Sequence, residues 1–414
     1  MLGHQRPSRC RRAVLLGGAL AAALALAPVT AHAGPPPSAG GDGLVPAVQS
    51  WGTNVSGQLG DATTAGRQSP ITVAGISSVT GLGAGPEANH GLAVLPNRTV
   101  KAWGLNDFGQ LGDGTTVSHS TPGTVPGITA ATQAAAGAFH SLAVLKDGTV
   151  KAWGLNLFGQ LGDASTTNSA TPVTVSGLSD AVAVAAGGSH SLAVLKDGTV
   201  KAWGSNADGQ LGDGSTTSST TPVTVSGLTG AVAVAAGSSH SLAVLKDGTV
   251  KAWGFNLFGQ LGDGTTTNST TPVTVSGLTG AVAVAAGSSH SLALLRNGTV
   301  KAWGANSDGQ LGDGTTTGST TAVSVSGLTG AVAITAGGHH SLTVTRGPWK
   351  QRRCTGTTLY TWGDNSDGQL GDGTTTDRTS PTPIATGLTT ITHLAAGRNH
   401  SLAAGDRPGG RCQH

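Results

Sequence analysis

The chain is poor in the residues on which most chemistry and cross-linking depend. Its 414 residues include three cysteines, one methionine, one tyrosine and five phenylalanines, and 10% are charged. Glu87 is the single glutamate. So few cysteines exclude a disulfide-dense scaffold. The aspartates sit mostly in recurring Gly-Asp turn pieces, which leaves general acid–base catalysis with few actors. No GxSxG, HExxH, phosphate-loop or dinucleotide fingerprint occurs. The formal net charge of +3 is small and scattered, which argues against nucleic acid as a partner. No enzyme activity, catalytic residue, metal ligand or cofactor is expected.

Glycine, by contrast, is abundant at 67 residues, and it recurs in register. The segment WG-x-N-x-x-GQLGD begins at Trp51, Trp103, Trp153, Trp203, Trp253, Trp303 and, as WGDNSDGQLGD, at Trp362. A second block centres on His90, His140, His190, His240, His290, His340 and His400. Both occur seven times, and the middle of the chain repeats every fifty residues. A fixed internal period outranks any domain count drawn from length.

One unit reads as four short strands. Ala181–Ala186 alternates small and β-branched residues, and Ser191–Leu195 follows. Lys196-Asp197-Gly198 is a strong hairpin signal leading into Thr199–Trp203. A polar loop then leads to an outer strand at Pro222–Val225, where proline suits an edge. Four antiparallel strands make a propeller blade, whose faces are buried only when neighbours stack around a ring. The N-terminal part supplies a third strand (Val48–Trp51) and an outer strand (Ile71–Val73); the C-terminal part supplies the first two (Ile391–Ala396, Ser401–Ala404). The expected fold is therefore all-β: a seven-bladed β-propeller of four-stranded antiparallel blades over residues 47–404, closed by a composite blade. Residues 405–414 are expected to be a flexible tail.

Arg6, Arg9, Arg11 and Arg12, the apolar run Ala13–Ala27 and Ala31-His32-Ala33 read as a signal peptide at 1–33, cleaved near Ala33. A Pro/Gly-rich linker at 34–46 follows. The apolar run is too short to span a membrane. The protein is expected to be secreted or extracytoplasmic, with ordinary and twin-arginine export both open. Cys10 leaves with the signal, and Cys354 and Cys412 remain as an even pair, expected to form a disulfide.

The combination HSLAVLKDGTVKAWG-x-N-x-x-GQLGDGTT resembles the regulator of chromosome condensation repeat family, and the likeness covers nearly the whole mature chain. The resemblance implies a seven-bladed propeller and several functions. The founding nuclear member is a guanine-nucleotide exchange factor that docks on chromatin, and a secreted bacterial type grips and inhibits β-lactamases. Fold alone does not choose among them. Export disfavours exchange on intracellular GTPases. The expected function is a secreted, monomeric, protein-binding or inhibitory scaffold, with exchange activity or glycan binding at the cell envelope as alternatives.

Residues that repeat belong to the scaffold. One histidine per blade disperses the imidazoles around a ring, whereas metal ligands must converge. Asn365-Ser366-Asp367-Gly368 imitates part of a calcium loop, but Gly363 stands where its first aspartate belongs. The candidates are the departures from the repeat. Leu105, Phe108, Phe139, Leu155, Leu157, Phe158, Phe255, Leu257 and Phe258 place apolar side chains in loops at one end of the ring, and they are expected to form a partner-binding patch. The spacing from His340 to Trp362 is 22 residues rather than 13. The extra hairpin carries Trp349, Lys350, Arg352 and Arg353 at the opposite end and is a second candidate contact.

Overall fold

Alternating small and β-branched side chains fit a pleated strand far better than a helix stripe, and every regular element among the described residues is a strand. The computed structural model describes residues 44–347 and 356–408. Their 28 strands form seven four-stranded sheets. We number the blades I (81–124), II (131–174), III (181–224), IV (231–274), V (281–324) and VI (331–384), with blade VII composed of 44–72 and 390–408.

Blade III shows the pattern: Ala181–Ala186, His190–Leu195, Val200–Gly204 and Ser219–Thr224, antiparallel and in sequence order. The outer strand starts three residues before the expected Pro222. Gly204 pairs with Ser219 and Ala202 with Val223, so Pro222 sits in the irregular stretch between them. There the missing N–H of proline costs no ladder bond.

Blade VII closes the ring. Leu44–Gly52 lies between Arg67–Thr72 and His400–Pro408, with Thr390–Ala396 innermost. The two chain ends pair from Gly52↔His400 to Leu44↔Pro408. The closing ladder is longer than the sequence indicated. Leu44–Pro46, expected in the linker, and Gly405–Pro408, expected in the flexible tail, both belong to strands. Two strands already side by side gain from each further pair of satisfied backbone groups.

No blade contains its own core. Leu192, Val194, Val200, Leu211 and Val225 of blade III pack with Ala231, Val234, Ala243 and Trp253 of blade IV. Equivalent clusters fill the other six joints, including Val48, Leu402 and Ala404 of blade VII against Ala93 and Trp103 of blade I. A polar seam runs beside each cluster. The Nε1 of Trp203 donates to the Gln160 carbonyl of the preceding blade (2.9 Å), and Ser191 Oγ donates to the same carbonyl (2.9 Å). His140 Nε2 lies 3.0 Å from that serine oxygen. Because the hydroxyl proton is already spent on the carbonyl, the imidazole is the donor, which fixes a neutral Nε2–H tautomer. The glycine of each Gln-Leu-Gly turn closes the joint: Gly162 has φ +68°, and a Cβ there would lie 2.8 Å from Trp203 Nε1.

The seam has one gap. Blade I carries Gly91 where the others carry serine, so His400 of blade VII faces no hydroxyl and both its ring nitrogens lack partners. At the intact joints, Ser241→Ala should strand the His190 proton and cost about 1–3 kcal/mol, read as a lowered chemical-denaturation midpoint. An unchanged midpoint would show that the serine bond is not structural.

Burial, reinforced by neighbouring histidines, lowers the pKa of His90, His140, His240 and His340 to about 3, and burial alone lowers His190 and His400 to about 4. The same causes hold His290 well below its ordinary value. The folded rings are neutral, whereas unfolded ones take up protons below about pH 6.5. Their stability contribution is complete above that value and is lost as pH falls towards 4 and 3, at about 1 kcal/mol per pH unit for each ring. Tryptophan fluorescence should show a steep acid transition with a midpoint near about pH 5. Equal denaturant stability at pH 7 and pH 4 would contradict this.

Candidate partner-binding loops

In each blade the second strand begins with histidine and the third ends with Trp-Gly, and these ends pair, as His190↔Gly204 does. The loop entering each histidine and the loop leaving each tryptophan therefore share one end of the ring, the histidine end. The Lys-Asp-Gly hairpins lie at the other, the hairpin end.

A buried asparagine shapes every post-tryptophan loop. Asn206 Nδ2 donates to Asp213 Oδ1 (3.3 Å) and to the carbonyls of Ser215 and Thr217 (3.1 Å each), and its Oδ1 accepts from Leu211 N (2.9 Å). Gln210 Oε1 accepts from Asp208 N at 2.9 Å. The backbone is thus fixed while the side chains at the second, fourth and fifth positions after tryptophan are free to vary. Eight of the nine candidate residues occupy those positions, and Phe139 precedes His140.

The structure does not join the nine into one patch. Phe108 of blade I meets Phe139 of blade II edge to face, with ring centroids 5.2 Å apart. This pair is an apolar version of a joint made elsewhere by polar groups: His339 Nδ1 and Asp308 Oδ2 are 2.8 Å apart, and Asn399 donates to Asp367 at 2.6 Å. Phe108 and Phe139 are consequently half-buried stitching residues. Leu105, Leu155 and Phe255 are also half-buried.

Four candidates do face solvent: Leu157 is 63% exposed, Phe158 40%, Leu257 60% and Phe258 49%. The position facing each phenylalanine from the next blade is a serine, Ser189 or Ser289, too small to cover the ring. Phe255 supports Phe258 edge to face at 6.2 Å. Blade III lies between the two pairs and presents Ser205, Ala207 and Asp208. Val55, 79% exposed at the position equivalent to Leu157 in blade VII, was missed. Its place in the repeat was the available signal.

Trp349, Lys350, Arg352, Arg353 and Cys354 fall outside the described residues, as does Cys412. The base of their hairpin is described: Arg346 pairs with Thr357 at the hairpin end. Thr357 N donates to the Thr389 carbonyl (3.0 Å), and Thr389 N donates to the Asp406 carbonyl (2.7 Å). The hairpin base and the end of the C-terminal strand are therefore linked through a single residue.

Burial works to raise the pKa of Asp61 and Asp372, but hydrogen bonds from Thr63, Arg67 and Asn54, and from Thr374, Arg378 and Asn365, outweigh it and lower both. Among the described residues no group of three histidine, cysteine or acidic side chains is placed to hold a metal ion. Nor is any helix among them long and apolar enough to cross a membrane.

Known proteins bear on this arrangement. The zebrafish (Danio rerio) protein RCC2 homolog is 40% identical over 65 residues, a stretch covering 16% of this chain and 13% of that protein. Prp20p of Saccharomyces cerevisiae, studied for its binding properties to Gsp1p and histones, superposes with a TM-score of 0.75 at 26% identity, covering 87% of this chain and 91% of that one. Yeast RCC1 (Prp20) bound to Kap60 gives 0.76 at 25% identity, covering 88% and 89%. Human WBSCR16 shares the fold at 24% identity, with a TM-score of 0.75 over 87% and 99% of the two chains. The family described as RCC1-like domain matches residues 47–403, and this chain belongs to it.

Proposed function

We propose that the protein is a secreted, non-catalytic propeller that binds another protein through the apolar loops of blades II and IV at its histidine end. The observation that carries this reading is the exposure of Leu157, Phe158, Leu257 and Phe258 on a backbone that is otherwise fixed and polar. Exposed leucine and phenylalanine cost solubility unless a partner covers them, and large rigid apolar side chains anchor interfaces. Family members support the general role, since Prp20p is described as binding Gsp1p and histones. The exchange-factor alternative rests on the family match and on the similarity to Prp20p, and glycan binding through tryptophan finds no support among the described residues, where the seven repeated tryptophans are fully buried. Secretion rests on the N-terminal signal pattern, and the monomeric state on the closed ring.

The sister blades supply a conservative test. Asp208 and Asp308 occupy the position of Phe158 and Phe258 with the same backbone bond to glutamine. Phe158→Asp combined with Phe258→Asp should leave thermal unfolding unchanged and weaken partner capture at least about 30-fold, since two hot-spot aromatics contribute roughly 2 kcal/mol or more. Phe108 is left in place because it stitches blades I and II. Equal capture by both proteins would remove the loops from the interface.

The link from the hairpin base through Thr389 to Asp406 also supports the expected Cys354–Cys412 disulfide, which would tie the insertion to the closing blade and add a few kcal/mol, on the order of 2–4. Intact-mass analysis of the unreduced mature protein should find no free thiol. Two alkylated cysteines would dispose of the bridge.

A further inference from the structure

We infer that the well on the axis of the ring binds a small uncharged molecule bearing a primary carboxamide, held by the inward-facing backbone of the innermost strands of blades IV, V and VI. The site is distinct from the loops of blades II and IV and stands or falls independently of them.

The chain supplies its own example of the contact. The Gln133 carboxamide of blade II reaches Val184 of blade III, donating to its carbonyl at 3.1 Å and accepting from its N–H at 3.0 Å. Val184 lies on an innermost strand, where alternate residues turn both backbone groups away from the ladder and towards the axis. Val234, Val284 and Ile334 hold the same register, pairing with Ala243, Ala293 and Thr343 as Val184 pairs with Ala193. The position of Gln133 is alanine in blades III, IV and V, at Ala183, Ala233 and Ala283. A methyl group can bond neither N–H nor C=O, so these three edges stand open to the well.

The well measures about 160 Å³, room for about ten waters. Its wall sets the methyl groups of Ala235 and Ala285 beside the hydroxyls of Thr132 and Thr335 and the backbone edges, and no acidic side chain, lysine or arginine takes part. Backbone groups facing such a space are hydrated, and a ligand gains only where it returns the hydrogen bonds that it takes from water. The N–H and C=O of one strand residue point the same way. A primary carboxamide answers both, because one of its N–H bonds lies on the same side as its carbonyl. A carboxylate can only accept, and a trans secondary amide turns its N–H and C=O in opposite directions.

The floor of the well is built by an irregularity in blade I. Six blades place two residues between the loop glycine and the histidine, as in Gly187 to His190, whereas Gly85 is separated from His90 by four. The extra length carries Pro86 and Glu87 across the axis. Glu87, the single glutamate, accepts from Ser288 Oγ of blade V, and its other oxygen lies 4.0 Å from Arg398 Nε of blade VII. Around this plug the neighbouring loops join through backbone bonds: Ser238 N to Ser288 O, Ser288 N to Gly338 O, Gly338 N to Arg398 O and Arg398 N to Ala88 O, at 2.9–3.3 Å. The histidine end is thereby closed, and a ligand enters from the hairpin end.

Benzamide, benzoate and N-methylbenzamide are the probes, titrated against the mature protein and read by ligand-observed NMR. Benzamide should bind saturably, and the other two about tenfold or more weakly, since each leaves a backbone group of the edge unpaired. Ala183→Gln with Ala233→Gln and Ala283→Gln copies blade II and sets the chain's own carboxamides on the three edges. Benzamide binding should then be lost while circular dichroism still reports a folded ring. Undiminished binding by that folded variant would overturn the assignment. If the variant fails to fold, the unsubstituted protein still decides: no benzamide binding, or equal affinity for the three probes, also overturns it, and a preference for benzamide supports it.

Discussion

The backbone carbonyl of the glutamine in each Gln-Leu-Gly turn accepts hydrogen bonds from a tryptophan and, in six of the seven joints, a serine of the following blade. The rest of the structure is arranged to keep that atom in place. The glycine two residues on admits the tryptophan ring, the asparagine four residues before it holds the turn, and the preceding histidine secures the serine. At the closing blade the two donors come from opposite chain ends, Trp51 and Ser401, and both converge on the Gln369 carbonyl. Ring closure is thus the same interaction as every other joint, made with the two ends of one chain.

The arrangement separates the residues that make the joints from those that differ between blades. At six of the seven joints the repeated histidine, serine and tryptophan bond to one another or to the glutamine carbonyl across the joint, so changing one of them weakens it. The second, fourth and fifth positions after tryptophan lie outside that pattern and vary without affecting it. Aspartate there is used for polar stitching in blades V and VI, and phenylalanine for apolar stitching between blades I and II. Where the facing residue is only serine, the same phenylalanine is left exposed to solvent.

The fold was legible because the period was strict: strand Ala181–Ala186 was read to the residue, and the composite blade followed from incomplete units at both termini. Strand ends were less legible. The pairing of Leu44–Pro46 with Asp406–Pro408 depends on two distant segments meeting, and neither segment carries a strong strand pattern. The apolar loop residues share one end of the ring, as their place in the repeat implies, but nothing in the repeat reveals that Phe108 and Phe139 satisfy each other across a joint. Glu87 stands out in the sequence as the single glutamate, with nothing there to show that it reaches Ser288 of blade V. Its role depends on a two-residue excess before His90, which becomes meaningful only when seven loops meet at one axis.

The most direct test of the account is site-specific photo-cross-linking in the producing cells and their medium, with the reactive residue at position 257, at 207 and at 146. These positions sample an exposed leucine of blade IV, the polar equivalent in blade III and a hairpin at the far end of the ring. The account predicts a discrete protein adduct from 257, less from 207 and none from 146. Adducts from 146 alone would place the partner at the hairpin end and contradict it.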